Sequence, residues 1–199
     1  MKMLDIIAMA ENSSIPYKYS EKLKQYKNIN EILEDPELCF YIRKHLNHIT
    51  DNFKRNLELS CLKDIKLSYF LLYHIHDLPE DIKRLAEEKC LEKKEYSFCM
   101  RRYVRNINDD IKKVVDNDLT KNSEFSYLLL KELNDASNEN KIKAMEKCCE
   151  NSRFSLYMMA FIDDIPKDIF TKAKEKAMEV KDFSILYKIL KREKELSNI

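Results

Sequence analysis

Four lysines, Lys54, Lys83, Lys112 and Lys141, recur at intervals of 29 residues, and the first three are each followed by a second cation, Arg55, Arg84 and Lys113. Cations held in register can neutralise successive phosphates or meet an acidic protein surface. The row fades after Lys141, where Ile142 takes the second place, and one period later Phe170 and Thr171 fill both. Arg101, Arg102 and Arg105 form a second basic group, with Arg101 and Arg105 one helical turn apart, and Arg43, Lys44 and Lys131 add to it.

These ten residues, Lys54, Arg55, Lys83, Arg84, Lys112, Lys113, Lys141, Arg101, Arg102 and Arg105, are the candidate partner-binding set. A solvated face is the competing account. Asp and Glu are frequent just before the ladder, and helical (i, i+4) pairs such as Lys83 with Glu87 would neutralise it. With 36 basic and 35 acidic residues the net charge is +1, so any electrostatic attraction must be local. An acidic protein surface is therefore the leading expectation for a partner, and nucleic acid the alternative.

Other chemistries are poorly supplied. Glycine is absent altogether, which removes the phosphate-cradling loop, the dinucleotide fingerprint and the strained nucleophile elbow, all of which need it. Cys61, Cys90 and Cys148 share one repeat position with Leu119 and Ala177, as a small buried site would. Cys-x-x-Cys pairs do not occur, and Cys148 and Cys149 are adjacent. His45 and His74 share a column with Tyr103, Glu132 and Phe161, and His48 lies one turn after His45, with no spacing that supplies a third metal ligand. No nucleophilic relay can be assembled from the serines, cysteines and histidines. The 35 acids are too many for any one pair to be informative. Neither cofactor nor metal is expected.

The elements that carry the ladder follow from the same period. Leu67, Tyr96, Phe125, Phe154 and Phe183 stand 29 apart, each followed by serine (Ser68, Ser97, Ser126, Ser155, Ser184), and Leu38 with Cys39 keeps the step. A fixed period without insertions marks stacked units that bury their apolar faces against neighbours. In the block from Tyr96 to Glu124, the spacing of Tyr96, Met100, Tyr103, Val104 and Ile107 predicts one helix face. Ile111, Val114, Val115 and Leu119 predict a second. The intervening segment, matched by Asp77 to Asp81 with Pro79 and by Asp164 to Asp168 with Pro166, suits a helix start. The serines are read as caps or small contacts, and Tyr69, Phe98, Tyr127, Leu156 and Ile185 as core seam. With no glycine, Asn122, Asn151 and Asp182 are expected to take left-handed positions at block junctions.

The expected fold is all-α: an α-solenoid of tandem short helical hairpins at 38–66, 67–95, 96–124, 125–153 and 154–182, a closing helix at 183–195, and an N-terminal helical cap at 1–37. In the cap, helices are expected at Met3 to Ala10, Ser20 to Tyr26 and Ile29 to Leu33. In the block from Phe125 to Arg153, Asn140 and Lys143 replace apolar residues, which predicts a second helix turned toward Ile142, Met145 and Cys149.

The paired-helix block resembles a compressed HEAT-like or tetratricopeptide-like unit in architecture alone, since it carries neither consensus and lacks Trp and Gly. That resemblance implies a right-handed superhelical scaffold. Because HEAT-like folds include DNA-base glycosylases, it also implies a lesser enzymatic alternative. The expected function is a non-enzymatic protein-interaction module, acting as adaptor or stoichiometric inhibitor. The start lacks a basic leader and no apolar run is long enough to span a membrane, so a cytoplasmic protein is expected. The Lys, Asn and Ile usage is compatible with a phage-type or mobile-element accessory protein.

Overall fold

Helix boundaries repeat with the sequence period. The computed structural model describes residues 2–180, among which there are thirteen helices and no strand. The first three are α1 (Met3–Glu11), α2 (Tyr17–Leu23) and α3 (Ile29–Leu33). Five pairs follow: α4 (Pro36–His45) with α5 (Asp51–Cys61), α6 (Ile65–His74) with α7 (Glu80–Cys90), α8 (Lys94–Tyr103) with α9 (Asp109–Leu119), α10 (Ser123–Glu132) with α11 (Asn138–Cys148), and α12 (Ser152–Phe161) with α13 (Lys167–Ala177). Each pair starts and ends 29 residues after its predecessor. None of these helices is long and apolar enough to cross a membrane. The closing helix expected at 183–195, and Asp182, lie outside the described residues.

Capping chemistry sets the starts. Asp35, Asp64, Asn122 and Asn151 are N-caps of α4, α6, α10 and α12, each accepting from backbone N–H groups of the first turn. The first helices accordingly begin two residues ahead of the aromatic positions that define the sequence blocks. These asparagines are extended, at φ −134° for Asn122 and −126° for Asn151, contrary to the expected left-handed cap. The left-handed backbone falls instead on Asn106 (φ 59°) and Asp164 (φ 33°), between the two helices of a pair. Asn and Asp tolerate that region through local hydrogen bonds.

The chain divides into two compact units, Met1–Ile111 and Lys112–Ile199, the boundary falling inside α9. In the first unit α4 packs on α5 and α6 on α7, while α4, α6 and α8 stack side by side. An apolar core there joins Ile6, Tyr19, Leu23 and Ile32 of α1–α3 to Leu38, Ile42, Leu57, Cys61, Leu67 and Leu71. In the second unit α10 packs on α11 and α12 on α13, with α10 against α12. Leu156, Met158, Met159, Ile169 and Ala173 are central to its core.

Three core columns recur through all five pairs. Ile42, Leu71, Met100, Leu129 and Met158 form the first. Leu57, Ala86, Val115, Ala144 and Ala173 form the second, and Cys61, Cys90, Leu119, Cys148 and Ala177 the third. No member of the three exceeds 1% exposure. Truncating a leucine to alanine in such a site costs about 2–5 kcal/mol.

The serine column sits beside them. Ser97, Ser126 and Ser155 are buried, and their hydroxyls donate to the carbonyls of Cys90 (3.0 Å), Leu119 (3.3 Å) and Cys148 (3.0 Å), each the last residue of the preceding helix. Cys39 makes the matching bond seven residues back, its thiol donating to the carbonyl of Ile32, the penultimate residue of α3. Helix C-termini leave carbonyls without intrahelical donors, so each serine satisfies one end while riding inside the next helix.

Three expectations need correcting. Tyr103 and Val114 are exposed rather than core, because α8 ends at Tyr103 and the buried stripe of α9 runs through Ile111, Val115 and Leu119. Helix α11 keeps its register despite Asn140 and Lys143: Ala144, Met145 and Cys148 are buried, and Ile142 faces solvent. Helix α2 occupies Tyr17–Leu23 rather than Ser20 to Tyr26.

Candidate interaction site

The basic ladder is largely occupied by the chain's own acids in the first unit. Arg55 bonds Asp81 at 2.5 Å, and Arg84 bonds Asp110 at 2.6 Å and Glu88 at 2.8 Å. Both arginines reach 26 residues forward, from one second helix to the start of the next. They hold the carboxyls of Asp81 and Asp110 below the ordinary carboxylate range. Lys54 lies 3.7 Å from Asp51 and 3.9 Å from Asp77. Lys83 meets Glu80 at 3.4 Å rather than the expected Glu87, which is buried. Exposed pairs of this kind contribute about 0–1 kcal/mol each, yet they leave less charge for a ligand.

In the second unit Lys112 is half-buried and Lys113 exposed on α9, while the half-buried Lys141 donates to the Asn134 carbonyl at 2.8 Å. Arg102 is exposed and lies over the Tyr103 ring at 4.7 Å. Arg101 is turned inward, with 8% exposure, so this member of the candidate set faces the interior. Arg105 is exposed at the end of α8.

Two clefts open along the loop edge of the first unit, between the ends of successive first helices. The larger, about 930 Å³, lies between the α6 end and the α8 end over the start of α7. Its lining includes Tyr73, His74, His76, Lys83, Tyr103 and Arg105. The neighbouring cleft, about 400 Å³, lies one repeat earlier and is lined by Arg43, Lys44, Asn47, Lys54, His74, His76 and Asp77. Lys54 and Lys83 are equivalent by the repeat, as are Asn47, His76 and Arg105, so the two clefts are copies of one design with different side chains. The structure thus brings Lys83 and Arg105 to one cleft and Lys54 to the next.

Rings and cations dominate this edge. Tyr73 and Tyr103 are 44% and 46% exposed and line the larger cleft together. His74 packs edge-on to Tyr73 at 4.8 Å and near Phe40 and Phe70. Its pKa is lowered by burial first, then by the charges of Lys44 and His76. Among the described residues neither Lys44 nor Arg105 meets a carboxylate, and Lys44 lies instead 5.7 Å from the Phe40 ring centre.

Beneath the smaller cleft sits a buried charge network. Arg43 donates from Nε to Glu58 Oε1 and from a terminal nitrogen to Asp77 Oδ1, both at 2.6 Å. Burial raises the Glu58 pKa and Arg43 opposes it, whereas Arg43 holds Asp77 below its usual value. Glu58 Oε2 is buried without a partner. One repeat on, the buried Glu87 accepts from the Asn108 backbone N–H at 3.2 Å and from Asn108 Nδ2 at 2.7 Å.

Burial raises the thiol pKa of Cys90 and Cys148 to about 12 and of Cys39 to about 11, so these side chains act as small apolar groups. Among the described residues no three of His, Cys, Asp or Glu converge on a metal-sized site. His45 is half-buried with Nδ1 2.9 Å from the Ser14 hydroxyl.

Sequence reasoning passed over Tyr73, His76 and the buried acids. A signal for the acids was present, because Glu58, Glu87 and Asp116 share one column directly after core residues Leu57, Ala86 and Val115. For the tyrosines it was weak, since a helix-end aromatic at core spacing reads as core. Comparison with protein-family models, with curated proteins and with solved structures found no match.

Proposed function

We propose that the chain is a non-enzymatic protein-interaction module, an adaptor or stoichiometric inhibitor, whose contact face includes the loop edge of the first unit. One observation carries the reading: this edge combines concavity with two exposed tyrosine rings, Tyr73 and Tyr103, at equivalent helix ends. Tyrosine supplies large contact area with few rotors to order, and a preformed surface binds with little ordering cost. The same cavity holds polar groups of both signs, Glu80 and Arg105 among them, which suits a protein surface better than a uniformly anionic strand. Nucleic acid is the competing partner, and the pairing of Arg55 and Arg84 with carboxylates weighs against it.

The tagged full-length chain, captured from extract of its native cell at physiological salt, should retain one protein in near-stoichiometric amount. That protein should be lost when Tyr73 and Tyr103 are both replaced by alanine. Co-purification of nucleic acid with no such protein, and an affinity for mixed oligonucleotides that falls steeply with salt, would overturn the reading.

A further inference from the structure

We infer that the two loop-edge clefts of the first unit together accept an extended acidic segment of a partner protein. The inference rests on the interaction reading above and narrows it to a ligand chemistry.

Charge is the first argument. Lys44, His74 and His76 line the smaller cleft together, and His76 and Arg105 line the larger. Lys44 and Arg105 lack carboxylate partners among the described residues. Meanwhile the acids nearby are engaged: Asp77 by Arg43 and Lys54, and Glu80 by Lys83 and Asn108. Lys44 in one cleft and Arg105 in the next are therefore cations that an anionic ligand can neutralise, and clefts focus such a field. The lowered pKa of His74, caused by burial and then by Lys44 and His76, is consistent with the crowding.

Shape is the second. Stacked helices lie about 8–10 Å apart, so the end of α4, where Lys44 sits, and the end of α8, two residues beyond which Arg105 lies, are separated by about 16–20 Å. An extended chain advances about 3.3 Å per residue. Two carboxylates about six positions apart would therefore reach Lys44 and Arg105, with the residues between them passing Tyr73 and the histidines. An apolar side chain there would pack on the Tyr73 ring. A polyphosphate strand fits less well, because it carries a charge at every nucleotide whereas the two cations without a carboxylate partner, Lys44 and Arg105, stand only at the two ends of the path.

The test uses the full-length chain and a fluorescein-labelled peptide of about ten residues, with glutamates about six positions apart flanking a leucine. Anisotropy at low ionic strength should report binding. Lys44→Glu with Arg105→Glu should weaken it by about tenfold or more, while Lys172→Glu, exposed on α13 in the second unit and outside the basic ladder, should change it less than about twofold. Circular dichroism checks that each variant is folded. A peptide with the glutamates adjacent should bind more weakly than the spaced one.

Equal losses from the Lys172 variant, or no preference for spacing, would overturn the assignment. So would displacement of the peptide by a mixed oligonucleotide that shows the same dependence on Lys44 and Arg105, since the site would then be a nucleic-acid surface. Failure of the peptide while the Tyr73 and Tyr103 variant still loses its captured protein would reject the acidic segment and leave the interaction reading standing. Failure of both would reject both.

Discussion

Glu58 and Glu87 occupy the same place in successive repeats of the first unit, both are buried, and they are satisfied by different means. Glu58 has the Arg43 guanidinium on one oxygen and nothing on the other. Glu87 has Leu72 where Arg43 would be, and both its oxygens accept from Asn108. The residue equivalent to Asn108 in front of Glu58 is Pro79, which has no backbone N–H and no side-chain donor. The orphaned oxygen is thus a consequence of one residue. A repeat tolerates a buried acid either by importing a cation or by supplying a capping asparagine, and the cation solution is incomplete.

A third solution appears in the second unit, where the two positions hold Leu130 and Met145 and pack in one apolar core. This makes the largest prediction. Removing one member of a buried pair leaves the other charge uncompensated, at a cost of about 3–5 kcal/mol, whereas apolar replacement of both is often neutral or stabilising. Arg43→Leu and Glu58→Met should each cost about that much in urea unfolding. The double variant, which installs the Leu130 and Met145 solution, should return to within about 1 kcal/mol of the parent or exceed it. Additive losses in the double variant would show that the network holds the fold by more than mutual neutralisation.

How much of this could be read beforehand differs by element. The helices of the repeats were legible, because caps, apolar spacing and period all agree, as with Asp64, Leu67 and Leu71 in α6. The serine column was legible as structural but not as chemistry. Its bonds reach seven residues back, across a turn whose geometry no local pattern specifies. Helical spacing pairs Lys83 with Glu87, but that rule assumes both residues are at the surface, and Glu87 is buried. The clefts were least legible. They arise where helix ends from separate repeats come side by side, so Tyr103 and Arg105 share a cleft with the end of α6, which their own sequence neighbours do not reveal.

The contrast between the two glutamates predicts a smaller gain as well. Pro79→Asn should offer Glu58 the donors that Asn108 gives Glu87, adding about 0.5–1.5 kcal/mol, the net worth of a typical hydrogen bond. Part of that is offset by the lost rigidity of proline at a helix start. The decisive control is the same change in a Glu58→Met background, where the gain should vanish. A gain that persists there would have to come from the helix start itself.

Asp77 and Glu58 respond to pH in opposite senses although they share Arg43, and this gives the smallest predicted effect. Asp77 has a lowered folded pKa, first through its bond to Arg43. Its contribution to stability is present above the ordinary aspartate value of about 3.9 and is lost as pH falls through the lower folded value. Glu58 has a raised folded pKa, chiefly from burial. Acidification from that raised value toward the ordinary glutamate value of about 4.3 therefore relieves a cost and favours the fold. Asp77→Asn should lower the melting temperature modestly at neutral pH, because Asp77 is largely exposed, and the gap to the parent should close below about pH 4. In Glu58→Met the parent's relative gain on mild acidification should disappear. If the Asp77 gap stays constant to low pH, Arg43 does not depend on that carboxylate, and the orphaned oxygen of Glu58 must be balanced by Arg43 alone.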